Sequence, residues 1–179
     1  NTELFHDSSD NCYATFTNKG HRECWNLESS GFRDWLSYMY FLETHGAPSE
    51  TALKAAFGTL LGKAKYEGAE KPVFRRVAKD GEALWIDLCD EEWKAIKVLA
   101  GFWEVVDNPP VMFVRSPTMT PLPIPSEKGD IDPLWSLINI PDEDRILLLC
   151  WMLECFRVET PHVVLELVGE QGSAKSKTQ

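Results

Sequence analysis

The chain has no apolar run approaching the roughly 18–20 residues that a membrane-spanning helix needs, so no such helix is expected. Histidine is scarce, with four in 179 residues, and no Ser-His-Asp or Cys-His arrangement stands out, so hydrolase chemistry gets no support. Positive charge is in deficit: Lys and Arg number 18 against 28 Asp and Glu, a net charge of −10. Bulk electrostatic binders of nucleic acid are basic, so any DNA contact must come from a local patch. The five cysteines are an odd number at irregular spacings. That argues against a disulfide framework and for a reduced, cytoplasmic setting. The first residues, Asn1 to Asp7, lack the basic-then-apolar order of a secretory signal. They also lack an initiating Met, and the chain is expected to be a piece of a longer protein. No internal repeat is present.

What is present is a chain of changing character. Net charge is −4 over residues 1–60, −1 over 61–118 and −5 over 119–179, so only the middle segment approaches balance. Cys12 to Thr17 and His21 to Leu27 read as strands joined through Asn18-Lys19-Gly20, good hairpin chemistry. Ser29 and Ser30 offer an N-cap for a helix carrying Phe32, Trp35, Leu36, Met39 and Leu42, stopped by Gly46 and Pro48. Ser49 caps a second helix with the stripe Leu53, Phe57, Leu60, Leu61 and Ala64, ending at Gly68.

Strand-like runs follow at Val73–Ala78, Glu82–Cys89, Trp93–Leu99, Phe102–Val106 and Val111–Arg115. Asp80-Gly81, Ala100-Gly101 and Asn108-Pro109-Pro110 punctuate them, and Leu84, Ile86 and Leu88 alternate as on a half-buried strand. Residues 1–116 therefore read as an α+β domain: an N-terminal hairpin, two helices and a five-strand antiparallel meander. Residues 117–129 hold four prolines and read as an extended linker. Residues 130–179 read as two helices, then a strand and a loop. Pro133 suits a first helical turn, and Asp142, Glu143 and Asp144 suit the positive end of a second helix. The body of that helix, Ile146 to Phe156, is apolar nearly all round and is expected to be buried.

The tract with chemical content is last. Residues 162–168 (His-Val-Val-Leu-Glu-Leu-Val) have the composition of a buried parallel strand. The strand leads into Gly169-Glu170-Gln171-Gly172-Ser173-Ala174-Lys175-Ser176, close to the phosphate-loop pattern G-x-x-x-x-G-K-[ST]. Ala174 stands where the second glycine belongs, and Gly172 supplies freedom inside the loop. Successive backbone N–H groups wrapped around phosphate at a helix N-terminus give this spacing its reason. Lys175 is placed to reach the β- and γ-phosphates and the Ser176 hydroxyl to hold Mg²⁺.

This tract, with the helix over 144–156, resembles the start of the ATPase core in phage- and plasmid-type DNA helicases and primase-helicases of the superfamily 3 kind. The wording of residues 169–176 looks like that of ATP-binding proteins carried by integrated mobile elements. The specific likeness covers about fourteen residues, and a looser one, through an upstream segment like 82–115, about half the chain. It implies an AAA+-like α/β ATPase domain, a hexameric ring, ATP and Mg²⁺ as cofactors, and movement on DNA, with single-stranded DNA as a candidate partner. Gly169, Gly172, Lys175 and Ser176 match its nucleotide-binding positions. The acidic Mg²⁺ strand, the sensors and an arginine finger of such proteins have no counterpart among the 179 residues. No hydrolysis and no bound nucleotide are therefore expected of this chain by itself.

Other candidates are weaker. Cys12, His21 and Cys24, with His6 as a fourth, would make a zinc site only if the hairpin gathered them. The paired C-x₂-C spacing of structural zinc is missing, and small buried cysteines are expected instead. Asp87, Asp90, Glu91 and Glu92 resemble a carboxylate cluster for two metals but read as acids on a solvated turn. Trp85, Trp93 and Trp103 are interleaved with Lys71, Arg75, Arg76, Lys79, Lys94 and Lys97, the ingredients of a single-strand binding face. Tryptophan in a small domain is more often core. Arg75, Arg76 and Lys79 are the named contacts of that reading. The accessory domain is expected to meet DNA, a partner or neighbouring subunits. The alternatives are a non-enzymatic interaction module and a regulatory P-loop ATPase without a DNA role.

Overall fold

The computed structural model describes residues 2–159 and 161–171 and has a mixed α+β fold. It divides into two compact units, Asn1–Leu122 and Pro123–Gln179. Among the described residues no helix is long and apolar enough to cross a membrane.

The first unit is built on a four-stranded sheet. Strands β1 (Thr2–His6), β2 (Cys12–Asn18) and β3 (His21–Asn26) run antiparallel in succession. Lys19 and Gly20 both take positive φ, 49° and 92°, which gives the two-residue hairpin turn its right-handed twist. Strand β1 goes beyond the expected hairpin. The turn before β2 is made by Asp7, whose Oδ1 accepts from Ser9 N at 2.9 Å and Asn11 N at 3.0 Å. After the helices, β4 (Ala69–Glu70) returns parallel to β1, giving the order β3-β2-β1-β4.

Helices α1 (Ser30–Thr44) and α2 (Glu50–Tyr66) begin at the expected caps: Ser29 Oγ accepts from Phe32 N and Ser49 Oγ from Ala52 N, both at 3.2 Å. The α1 stop falls on His45 in the left-handed region (φ 55°), one residue before the glycine. Both helices cover one sheet face, burying Cys12, Ala14, Phe16, Leu27, Phe32 and Ala64. Aromatic rings dominate that layer: Phe16 stacks on Trp35 at 4.0 Å, and Phe32 meets Phe57 edge-on at 6.1 Å. Gly68 sits where a Cβ would lie 2.4 Å from Ala64 O and 2.7 Å from Leu4 O, so only glycine lets the end of α2 approach β1 this closely.

The other sheet face buries Phe5, Tyr13 and Cys24 under Val73, Met112 and Val114. Two of those residues belong to a parallel pair of two-residue strands, β5 (Val73–Phe74) and β10 (Met112–Phe113). Between them in sequence lies the meander: β6 (Val77–Asp80), β7 (Ala83–Asp87), β8 (Ala95–Leu99) and β9 (Phe102–Val106). The expected five-strand meander is thus corrected to four. Val73–Ala78 breaks into two strands at Arg75-Arg76, and the last strand leaves the meander to pair with β5. Pro109 and Pro110 cannot extend a ladder, and Asn108 (φ 52°) redirects the chain, its Oδ1 accepting from Arg22 N at 2.7 Å.

The unit runs to Leu122, six residues into the stretch expected to be linker. Leu122 N donates to Leu88 O at 2.8 Å, and Arg76 Nη2 donates to Thr120 O at 2.9 Å.

The second unit contains α3 (Asp132–Leu137), with Pro133 in its first turn, a 3₁₀ turn at Asp142–Asp144, and α4 (Arg145–Glu154). Two expectations are corrected here. Helix α4 is not buried all round: Leu148 is its one buried residue among those described, while Ile146, Leu147 and Leu153 are 62–70% exposed. Residues 162–168 form no strand. Both outcomes share a cause. The described part of this unit offers no other strand to complete a ladder and too little surface to cover an apolar helix.

Candidate functional site

Of the phosphate-loop residues, Gly169 is described and is exposed on irregular backbone; Gly172, Lys175 and Ser176 lie outside the described residues. The approach to the loop is defined. Residues 162–168 have no regular secondary structure, with Leu165 and Leu167 half-buried between exposed neighbours. Val163 O accepts from Trp151 Nε1 of α4 at 3.1 Å. This run and α4 enclose a cleft of about 500 Å³, with Leu147, Leu148, Leu165 and Leu167 as its apolar wall. Asn139, Asp144 and Glu166 supply the polar side chains of the lining. Two residues beyond Leu167 the chain reaches Gly169, so the cleft lies along the entry to the loop. Asn139, Ile140 and Pro141 also line it; only Pro141, directly before the 3₁₀ turn at Asp142–Asp144, carries a local signal in the sequence.

The other candidate sites are resolved by geometry. Cys12 and Cys24 face opposite sides of the sheet, one under the helices and the other under β10. His6 Nδ1 donates to Ala64 O at 3.0 Å, and His21 Nε2 lies 2.9 Å from Glu23 Oε1. Burial pushes the Cys24 thiol up to about 12, away from the thiolate that zinc requires. The four residues do not converge, and no cluster of three metal-ligating side chains occurs among the described residues.

The acidic cluster is dispersed by other partners. Asp87 is 1% exposed and grips Arg115: Nη2 to Oδ1 is 2.6 Å and Nε to Oδ2 is 3.0 Å. Cys89 N also donates to Asp87 Oδ1, at 3.0 Å. Asp90 Oδ1 accepts from Lys94 N at 2.9 Å, and Glu92 pairs with Lys94. Asp87 is therefore a buried structural carboxylate, which corrects the reading of the whole cluster as acids on a solvated turn.

The basic and aromatic residues are likewise divided. Trp85 is 5% exposed, with Lys97 Nζ 5.8 Å from its ring centre, and Lys97 also approaches Glu104 at 3.5 Å. Trp93 is covered by the Arg115 guanidinium at 4.0 Å. Lys71 pairs with Glu3 at 2.5 Å. Arg76 donates to Asp87 O at 3.0 Å as well as to Thr120 O, so it holds the domain's tail in place. Arg75 and Lys79 are exposed. Trp85 and Trp93 are thus not presented as stacking platforms.

No family profile matches this chain, and no match is found for it among curated proteins or among solved structures.

Proposed function

We propose that this chain is the N-terminal part of an ATP-dependent DNA helicase or primase-helicase of a mobile element. In this reading unit 1 is an accessory domain, and residues 130–179 open a P-loop ATPase core. The observation that carries the reading is the order of residues 163–176: an apolar run, then Gly169, Gly172, Lys175 and Ser176 at phosphate-loop spacing. Lys175 neutralises the β- and γ-phosphates, and the Ser176 hydroxyl holds Mg²⁺ on the nucleotide. The cleft between α4 and 165–168 supports the reading as the place for the nucleotide base, since its wall is apolar with a few polar groups. In this reading Arg75 and Arg76 with Lys79 are the basic side chains of unit 1 assigned to single-stranded DNA, and Arg75 and Lys79 are exposed.

The test is ATP hydrolysis by the full-length gene product, with and without single-stranded DNA, beside Lys175→Ala. DNA-stimulated turnover that the variant loses is the expected result. Turnover indifferent to Lys175, or none, removes the phosphate loop and leaves unit 1 as a non-enzymatic interaction module. Turnover that needs Lys175 but ignores DNA favours a regulatory ATPase.

A further inference from the structure

We infer that Arg76, on the reading that unit 1 binds single-stranded DNA, is a latch: it straps residues 117–122 to unit 1, and a phosphate of the bound strand releases them by displacing Thr120 O. From Lys71 to Lys79 the chain has four cations and no acid, within a protein of net charge −10. At the centre of that stretch is the Arg75-Arg76 break between β5 and β6. Arg75 is exposed and Arg76 half-buried, and among the described residues neither forms an ion pair. Arg76 commits its guanidinium to two neutral backbone carbonyls. Nη1 donates to Asp87 O at 3.0 Å in a half-buried contact, and Nη2 donates to Thr120 O at 2.9 Å in an exposed one. The Asp87 carboxylate does not neutralise Arg76, because Arg115 holds both of its oxygens. A phosphate oxygen brings a full negative charge and is a stronger partner for a guanidinium than a carbonyl dipole. The exposed Nη2 arm is the one it reaches, with Arg75 beside it as a second cation. Asp87 O keeps Nη1, so the side chain stays anchored on β7 while Nη2 changes partner.

The strap is held lightly enough to yield. Residues 116–126 carry no charge, so no ion pair of their own secures them. Besides the Arg76 arm, the strap is tied to β7 and the loop after it by Leu122 N donating to Leu88 O at 2.8 Å and by the Cys89 thiol, 3.8 Å from Met119 O. Thr120 and Leu122 are exposed. Pro121, Pro123 and Pro125 have no N–H, so the strap cannot add a continuous ladder to the meander. Taking away Nη2 therefore removes one of a few weak ties, the setting in which a segment opens locally while the core stays closed. Release turns residues 117–122 into free chain, about 20 Å when extended, directly before Pro123 where the second unit begins. Occupancy of unit 1 by DNA then sets the length of free chain between the units.

The experiment is hydrogen–deuterium exchange of the 179-residue chain at low salt, alone and with an oligothymidine of about 20 nucleotides, whose binding is followed in parallel by fluorescence anisotropy. Between residues 121 and 125 only Leu122 and Ile124 carry an amide hydrogen, so exchange there reports the Leu122–Leu88 hydrogen bond. Bound DNA should speed that exchange at least about tenfold, the effect of losing one hydrogen bond to a charged group. Exchange across β2 is the control for general unfolding and should not change. Arg76→Gln should exchange fast at Leu122 without DNA and gain nothing when DNA is added. Arg75→Gln should bind DNA more weakly while its DNA-free exchange stays at the parent rate. Oligothymidine that binds and leaves Leu122 exchange unchanged overturns the latch and leaves the DNA reading standing. So does Arg76→Gln that exchanges as slowly as the parent chain. Oligothymidine that does not bind overturns the DNA reading and the latch together.

Discussion

Replacing Arg115 with Met should be among the most damaging single changes in unit 1. Arg115 makes two hydrogen bonds to the Asp87 carboxylate, at 2.6 and 3.0 Å, and a third to Asp90 O, while its guanidinium lies 4.0 Å over Trp93. The side chains are 13% and 2% exposed, so water cannot replace the lost partner. Methionine fills the space but leaves an uncompensated charge next to buried Ala95, its cross-strand neighbour. Breaking such a pair from one side costs about 3–5 kcal/mol. At about 2–4 °C per kcal/mol for a chain of this size, the melting temperature should fall by roughly 6–20 °C. Removing both charges should cost far less, because an apolar pair of similar volume is often neutral. The assay is urea unfolding followed by tryptophan fluorescence for Arg115→Met, Asp87→Leu and the double variant. A loss below about 1 kcal/mol for Arg115→Met, or strictly additive losses, would refute the argument that the pair is desolvated and coupled.

Two further predictions concern the N-terminal sheet. The Tyr13 hydroxyl donates to Asp7 Oδ2 at 2.9 Å, and burial with that hydrogen bond raises its pKa above the ordinary value of 10. The neutral phenol is therefore the stabilising form: its contribution is complete below pH 10 and declines as pH rises above it. Asp7 has the opposite sign: burial acts upward, but hydrogen bonds from Asn11 and Tyr13 outweigh it and lower its pKa below 3.8. Its contribution is present above that value and is lost as pH falls below it. Tyr13→Phe should flatten the alkaline decline in a stability profile across pH 8–11; an unchanged slope would contradict the assignment. Gly68→Ala should cost about 1–3 kcal/mol, since the new methyl group meets backbone at 2.4–2.9 Å and α2 must move off β1. A melt indistinguishable from the parent chain would show that the approach is looser than described.

How much of this protein was legible beforehand follows from the range of the forces involved. The hairpin at Lys19-Gly20 and the turn at Gly81 are decided within a few residues, because positive φ is a local requirement. The α1 and α2 starts follow from Ser29 and Ser49, and their buried faces from helical periodicity. The spacing of Gly169, Gly172, Lys175 and Ser176 is likewise a one-dimensional pattern, so the candidate nucleotide residues could be named without coordinates. Strand β1 was missed because both its faces are covered: Leu4 packs under the helices and Phe5 against Met112, so no polar alternation marks it.

Strands β4, β5 and β10 are two residues long, too short for any period, and exist only because Ala69 meets Phe5 and Met112 meets Val73. The fate of Asp87 was undecidable from its acidic neighbours; Arg115, 28 residues away, makes it structural. The run 162–168 shows the converse. Its composition favours a strand, but a strand is a property of a pair, and no described neighbour completes the ladder. Sequence by itself determined the turns, the helices and the phosphate-loop spacing, because each depends on neighbours along the chain. Tertiary structure alone decided which acids are buried, which tryptophans are covered and which face of α1 is left open, because those depend on groups that only folding brings together.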